Sequence, residues 1–348
     1  MLGNIQMDVP FVQAALSGYS DLPMRRMARA HGAPYCLNEV VLDTLVTHKG
    51  KTRTRVLRVE PDDHPVGGQL MGAAPDPCAR AASDMVEAGY DAIDINFGCS
   101  VRKVLRRRRG GFHLSQPEVA LDIVRCVYDA VGDRCPVTLK MRRGFDDSAD
   151  SEPGFFTILD GAFEAGVTAV TVHGRTVAQG YVGPSDWRFL ERVKRHIGEK
   201  ILLGSGDLFS AEACLRMLDQ TGVDGVSVAR GCIGNPWIFD ECSTLCAGRP
   251  LPPPPGVGEQ GRTIAAHFAE SVKVHGARLA ARVMRKFGIM YAEHHPCARE
   301  VRDAFVAVKS VAGFEAVLRR WYDPDGEWPP VQRRRGYGNL VAAGARQA

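Results

Sequence analysis

The 348-residue chain is 45% hydrophobic and 24% charged, the balance of a soluble globular protein, and its length suits one large domain with a smaller one, or two of ordinary size. No run of about 18 or more apolar residues reads as a membrane span. The opening MLGNIQMDVPFVQ has no basic region followed by an apolar one, so a cytoplasmic location is expected. Ten scattered cysteines point to reduced thiols, not a disulfide framework. No CxxC pair accompanies Cys242 and Cys246 or Cys297, and no metal is expected.

The net charge of +4 hides an asymmetry. Residues 257–348 hold 15 Lys and Arg against 9 Asp and Glu, and the remainder holds 29 against 31. A near-neutral body with a basic C-terminal part suits contact with a polyanion, though a solvated surface reads the same way from charge alone.

Eight short apolar runs recur along the chain: Phe11–Gly18, Tyr35–Val41, Val66–Gly72, Ala92–Cys99, Pro136–Arg142, Ala169–Arg175, Ile201–Asp207 and Gly225–Gly231. Several, such as AIDINFGC and GVSVARG, are apolar without alternation, as strands buried on both faces are. Helical patterns lie between them, including CARAASDMVEAG, EVALDIVRCVYDAV, WRFLERVKRHIG and SAEACLRMLDQTG. Strand–helix repeats of this number predict an α/β fold, a (β/α)8 TIM barrel over residues 1–250. The pattern alone also accommodates an open doubly wound sheet.

The stretch RPLPPPPG at Arg249–Gly256 excludes helix and central strand, because consecutive prolines lack donors and have fixed φ; it reads as a stiff boundary. Residues 257–322 then show helical periodicity throughout, which predicts a small antiparallel C-terminal helical bundle. Residues 323–348 have few apolar anchors and read as a loosely ordered basic tail.

Functional groups of a (β/α)8 barrel lie at the C-terminal ends of its strands. Here those ends carry Ser17-Gly18, Glu39, Gln69, Asn96 with Cys99, Lys140 with Arg142, His173 with Arg175, Ser205-Gly206-Asp207, and Arg230-Gly231. Gln69 or His173 alone reads equally well as a satisfied core group. Together they describe a pocket on one rim. GSGD after the seventh strand and ARG after the eighth, with the short helical pattern GNPWIFDEC behind them, match the usual barrel phosphate site, where Arg230 adds a charge-assisted contact.

The segment Asp94-Ile-Asn96-Phe-Gly98-Cys99-Ser100-Val-Arg102-Lys103-Val104 is the distinctive piece. Together with VHGRT at Val172–Thr176, GYVGPSDW at Gly180–Trp187 and ARGCIGNPW at Ala229–Trp237, it resembles the dihydrouridine synthase family. The resemblance runs from about Phe11 to Tyr322, nearly the whole chain, with the motifs in order. It implies a barrel that holds FMN at its strand ends, NADPH as reductant, and tRNA uridine as substrate, in a protein expected to be a monomer. By motif, Cys99 matches the proton donor. Gln69, Lys140 and His173 match groups that hold the flavin ring and ribityl chain. Ser205, Gly206, Asp207, Ala229 and Arg230 match the phosphate side, and Ala15, Leu16 and Ser17 the strand-one segment beside the ring. Asn96 and Arg142 match residues near the uracil. The sequence departs from the family pattern at Ser100, at Ser205, in Ala14–Ser17, and in the basic stretch LRRRRGG at Leu105–Gly111.

The implied chemistry fits these residue types. Carbon 6 of uracil is the electrophilic end of its double bond and takes a hydride; carbon 5 then needs a proton. A thiol, titrating near ~8.5, is mostly protonated at neutral pH yet acidic enough to donate. The base has to be splayed out of its stack, which gives the helical domain at 257–322 an RNA-binding purpose. Arg278, Arg282, Arg285 and Lys286 recur there at helical spacing. Arg102, Lys103 and Arg106–Arg109 follow Cys99 closely, read as an exposed mobile loop, and suit the phosphates flanking the target. His113, at a position usually apolar in the family, is expected to be dispensable for the chemistry. An FMN barrel acting on a small metabolite, an RNA-binding protein without redox activity, and a non-redox phosphate-binding barrel, which gives Cys99 and Gln69 no role, are the competing readings.

Overall fold

The structure, a computed structural model, describes residues 1–47 and 50–333. Nine strands pair in parallel: β1 (Phe11–Gln13), β2 (Tyr35–Leu37), β3 (Val41–Leu42), β4 (Val66–Met71), β5 (Ala92–Phe97), β6 (Val137–Arg142), β7 (Ala169–His173), β8 (Ile201–Ser205) and β9 (Gly225–Val228). The ladder runs β1-β2-β4-β5-β6-β7-β8-β9, and β9 returns to β1, so eight positions close into a (β/α)8 barrel. All eight apolar runs of the sequence supply a strand, and an open sheet is excluded. β3 also pairs with β4 and prolongs the second position after a break. The break has a side-chain cause. The Asn38 side chain accepts from the Gln69 N–H at 2.9 Å and donates to the Tyr90 hydroxyl at 2.6 Å, taking over from the backbone ladder.

Between the strands lie helices with buried apolar stripes. Asp186 caps Trp187–Ile197 by accepting from the Phe189 N–H, and that helix buries Phe189, Leu190, Val193 and Ile197 at helical spacing. Pro75 and Pro117 open Pro75–Glu87 and Pro117–Val131, where a missing N–H costs nothing. Inside the barrel, Val12, Tyr35, Leu37, Ala92, Ala169 and Leu203 form an apolar cluster with Leu2 and Ile5 of the N-terminal turn.

Packing divides the chain into two compact units, and the division does not follow the proline-rich stretch. Among the described residues, the first holds Met1–Ser20, Ala33–Leu208 and Glu212–Ala229; the second holds Asp21–Gly32, Phe209–Ala211 and Arg230 to Arg333. The second unit thus contains the helix Leu22–Ala30, both flanks of Pro252–Pro255, and the predicted C-terminal helices Val257–His275, Ala277–Tyr291, Ala298–Val306 and Val311–Trp321. The start of the supposed tail is packed as well: the Trp328 ring lies 4.9 Å from that of His295, and Arg333 pairs with Glu241. The rest of the tail, 334–348, lies outside the described residues.

His267 sits at the centre of the second unit. Its Nδ1 is 3.1 Å from the Tyr291 hydroxyl, its Nε2 is buried without a partner among the described residues, and burial pushes its pKa down to about 4. An unfolded histidine titrates near ~6.5. Below that pH the unfolded chain binds a proton that the folded chain refuses, so stability is full above about 6.5 and is lost as the pH falls toward 4. The loss should reach about 3 kcal/mol for this one group. Denaturant unfolding at pH 7 and pH 4.5 should show a steeper decline in the wild type than in His267→Gln; equal declines would show that the imidazole is not held neutral.

Candidate active site

The rim is built on layers of inward-facing side chains, since residues in register on neighbouring parallel strands share a face. Gln69, Asp94 and Thr138 form one row, Asn96, Lys140 and Thr171 the next, and Arg142, His173 and Ser205 the uppermost. In the lowest row the Asp94 carboxylate accepts from Thr138 Oγ1 at 2.6 Å and from Gln69 Nε2 at 2.7 Å. Burial pushes its pKa up, opposed by those two donors and by the charge of Lys140.

Gln69 passes the network upward, its Oε1 accepting from Asn96 Nδ2 at 2.6 Å. Asn96 Oδ1 then accepts the N–H groups of Gly98 and Cys99 at 3.0 and 3.1 Å. The side-chain oxygen thus closes the turn that ends β5 and fixes where Cys99 leaves the strand. Cys99 is held from its other side by its carbonyl, which accepts from Gly111 N at 2.9 Å. Gly110, at φ +59°, packs so closely that a side-chain carbon there would lie 2.8 Å from Cys99 Cβ. Cys99 itself is half-buried.

Lys140 differs from its neighbours. Its stem keeps some exposure, but Nζ is buried with no hydrogen-bond partner among the described residues. Burial lowers its pKa to about 8, with Asp94 opposing and Arg142 adding to the shift. An ammonium in such a place costs free energy unless an acceptor arrives.

Arg142 and Arg175 act as struts. Arg142 donates to the carbonyls of Gly98, Thr176 and Gly180 at 2.7–2.9 Å, tying the Cys99 turn to the loop after β7, with its guanidinium 5.5 Å from the Tyr181 ring centre. Arg175 donates to both oxygens of Asp207 at 2.8 Å and to the carbonyl of Gly183. Asp207 also accepts from Ser185 N at 2.8 Å, which holds this non-glycine residue at φ +60° against a cost of about 1–2 kcal/mol. Gly206, at φ +118°, leaves no room for a side chain, since a β-carbon would lie 2.3 Å from Ser185 Oγ. His173 Nδ1 accepts from Arg175 N at 3.2 Å, and Ser205 Oγ donates to the Ser227 carbonyl at 3.2 Å.

The sequence-predicted residues of the first unit therefore meet at one barrel end. Gln69, Asn96, Cys99, Lys140 and Arg142 are joined by direct bonds or shared register, as are His173, Ser205, Gly206 and Asp207. Ala15 and Leu16 are half-buried and Ser17 is exposed after β1, with Leu16 N donating to Ser20 Oγ at 2.8 Å. Ala229 ends this unit; Arg230 opens the next, where its guanidinium lies 5.1 Å from the Phe209 ring centre. Arg102 and Lys103 are exposed on the short helix Arg102–Leu105. The basic stretch departs from expectation in one respect. It is a closed turn, and Arg109 is turned inward to pair with Asp43 at 2.9 Å. His113 is buried too, 3.0 Å from the Gly72 carbonyl and with its ring tilted against that of Phe97 at 4.9 Å, which gives this departure from the family pattern a packing role. Sequence reading did not single out Asn38, Asp94, Thr138 or Asp43 as site residues. The alternation Asp94-Ile-Asn96 is the one signal that places Asp94 on the inner face beside Asn96.

A closed parallel barrel with a connected polar network rising to a tethered cysteine and a partnerless buried lysine is built as an enzyme of the (β/α)8 class. The chain belongs to the dihydrouridine synthase family, whose model matches residues 12–322. Among curated proteins it is 32% identical over 310 residues to a probable tRNA-dihydrouridine synthase 1 of Synechocystis, covering 89% of this chain and 85% of that one. It is also 32% identical over 313 residues to tRNA-dihydrouridine synthase B of Pseudomonas aeruginosa, covering 89% and 92%. The barrel superposes on histamine dehydrogenase from a Rhizobium species at TM-score 0.53 and 14% identity, and on a 2-naphthoyl-CoA reductase at 0.55 and 12%. These superpositions cover 75% and 72% of this chain and about half of each neighbour (48% and 52%), and they speak to fold alone. Among the described residues no helix is long and apolar enough to cross a membrane.

Proposed function

We propose that this protein reduces uridine in tRNA to 5,6-dihydrouridine, with FMN bound at the barrel rim, NADPH as electron source and Cys99 as proton donor. One observation carries the reading: Cys99 is tethered through Asn96 and Gln69 beside a register row whose lysine is buried without a protein acceptor. That orphaned Nζ and the glycine-backed turn at Ser205–Asp207 suit an anionic, hydrogen-bonding ligand such as a flavin mononucleotide. The names of the relatives supply the substrate.

Gln69, Lys140 and His173 would hold the ring and ribityl chain, with Ala15, Leu16 and Ser17 lying along it. The backbone of Ser205, Gly206, Asp207 and Ala229 would hold the phosphate. A flavin held there would, once reduced, supply the hydride for carbon 6 of the base. Lys140 is mainly cationic at neutral pH, given its pKa of about 8, and stabilises negative charge on a bound ligand. Cys99 gives its proton to carbon 5 of the resulting enolate and regains one from solvent. Asn96 and Arg142 hold the two sides of the Cys99 turn and so set the angle of that delivery.

The test is to supply the purified full-length protein with NADPH and unmodified tRNA, and to measure dihydrouridine by nucleoside analysis. Dihydrouridine should form, and denaturation should release FMN. Turnover of free uracil or dihydroorotate with none on tRNA would overturn the reading in favour of a small-metabolite enzyme.

A further inference from the structure

Segment 98–117 contains no acidic residue, yet it carries Arg102, Lys103, Arg106, Arg107, Arg108 and Arg109. Six cations this close repel one another, and the fold separates them into two kinds. Arg109 is almost buried, 11% exposed, and paired at 2.9 Å with Asp43, itself 4% exposed. The other five are exposed. The backbone enforces the difference. Arg107, Arg108 and Arg109 donate back to Leu105 and Val104, closing a turn, and Arg108 adopts φ +53° although it is not glycine. That left-handed residue reverses the chain, so Arg109 enters the interior while Arg106–Arg108 stay at the crest. Gly110, next in line, is the residue packed on Cys99 Cβ.

We infer that Arg106, Arg107 and Arg108 form a spur that binds the phosphodiester backbone of an RNA strand, docked by the buried Arg109–Asp43 pair. The inference rests on the tRNA reading above for the identity of the polyanion. A run of exposed arginines with no acidic residue in its own segment is stabilised when phosphates arrive and condensed counterions leave. A mobile basic tail would do this anywhere along the molecule. This spur is anchored two residues from a glycine in contact with Cys99, so the phosphates it takes are those nearest the base that Cys99 serves. Nucleotides next to a splayed base need such a grip, because unstacking has to be offset by backbone contacts.

The experiment compares the full-length wild type with the triple variant Arg106→Gln, Arg107→Gln, Arg108→Gln. Binding to tRNA and to an unrelated single-stranded RNA is measured across a salt series, with vesicles containing phosphatidylserine as a third arm and thermal melting as a folding check. The variant should melt like the wild type, since its changed side chains are exposed. Its log–log salt slope should fall by about two units, at roughly 0.7 per phosphate contact, with about ten- to fifty-fold weaker binding near physiological salt on both RNAs. An unchanged slope in a folded variant overturns the spur, and so does a loss confined to the vesicles. Dihydrouridine formation by the wild type is scored separately. A wild type active on tRNA with no slope change leaves the enzyme reading standing without the spur; a slope change in a protein that makes no dihydrouridine leaves the spur without the enzyme reading.

Discussion

Replacing Cys99 by Ala should lower dihydrouridine formation by roughly the hundred- to ten-thousand-fold that a positioned general acid contributes, while flavin content and flavin reduction by NADPH stay unchanged. The separation is expected from the architecture. Asn96 Oδ1 and the Gly111 N–H hold the backbone of residue 99, not its side chain, so the turn survives loss of the thiol. Lys140 and Gln69 are anchored on β6 and β4, and neither is bonded to the sulfur. Single-turnover experiments with pre-reduced enzyme isolate the step, and melting curves check the fold. Wild-type turnover on tRNA in the alanine variant would remove Cys99 from the chemistry. A loss of flavin together with activity would instead mark the cysteine as part of the cofactor cradle.

Most of the barrel is legible in the sequence because each strand lies in a short apolar run with polar residues at or just after its C-terminal end, and burial on both faces marks such runs as strands of a parallel sheet. Val66–Met71 and Ala92–Phe97 are buried at every position. The break between β2 and β3 is not legible, because it depends on Asn38 meeting Tyr90 and Gln69, each some 30 or more residues away. The rim follows the same division. Gln69, Asn96, Cys99 and Lys140 can be nominated from strand-end positions and motif, whereas what they do locally depends on partners that only the closed ladder brings into register. Asn96 reads as a substrate contact in the sequence; in the fold its oxygen is engaged by the turn it closes. The six-cation stretch reads as uniformly exposed until Asp43, 66 residues earlier, removes Arg109 from the surface. The division into units was hidden for a related reason. A polyproline stretch marks stiffness in the chain, but it carries no record of which helices pack across it.

A protein truncated at Arg249 should fail to fold, even though it retains every strand of the barrel. The helix Leu22–Ala30 belongs to the second unit, and its partners lie beyond the cut. Arg26 pairs with Glu270 at 2.7 Å and Asp21 with His275 at 2.8 Å, with all four side chains at most 23% exposed. Met24, Met27 and Ala28 line a cavity with His267, Phe287 and Tyr291. The Trp237 ring packs edge-on against Tyr291 and His294, at 6.0 and 5.7 Å between centres. Truncation would expose Met24, Trp237 and neighbouring apolar side chains, each contributing roughly 1.5–3 kcal/mol when buried. It would also leave Arg26 and Asp21 without those partners. Three or four such losses match the whole stability of an ordinary domain, about 5–15 kcal/mol. The truncated chain should therefore accumulate in the insoluble fraction, or melt without a cooperative transition, while the full-length protein melts cooperatively. The measurement is soluble yield and calorimetric unfolding of the two lengths side by side. A soluble, cooperatively melting chain ending at Arg249, within a few degrees of the full length, would show that the barrel keeps its first helix without the C-terminal helices.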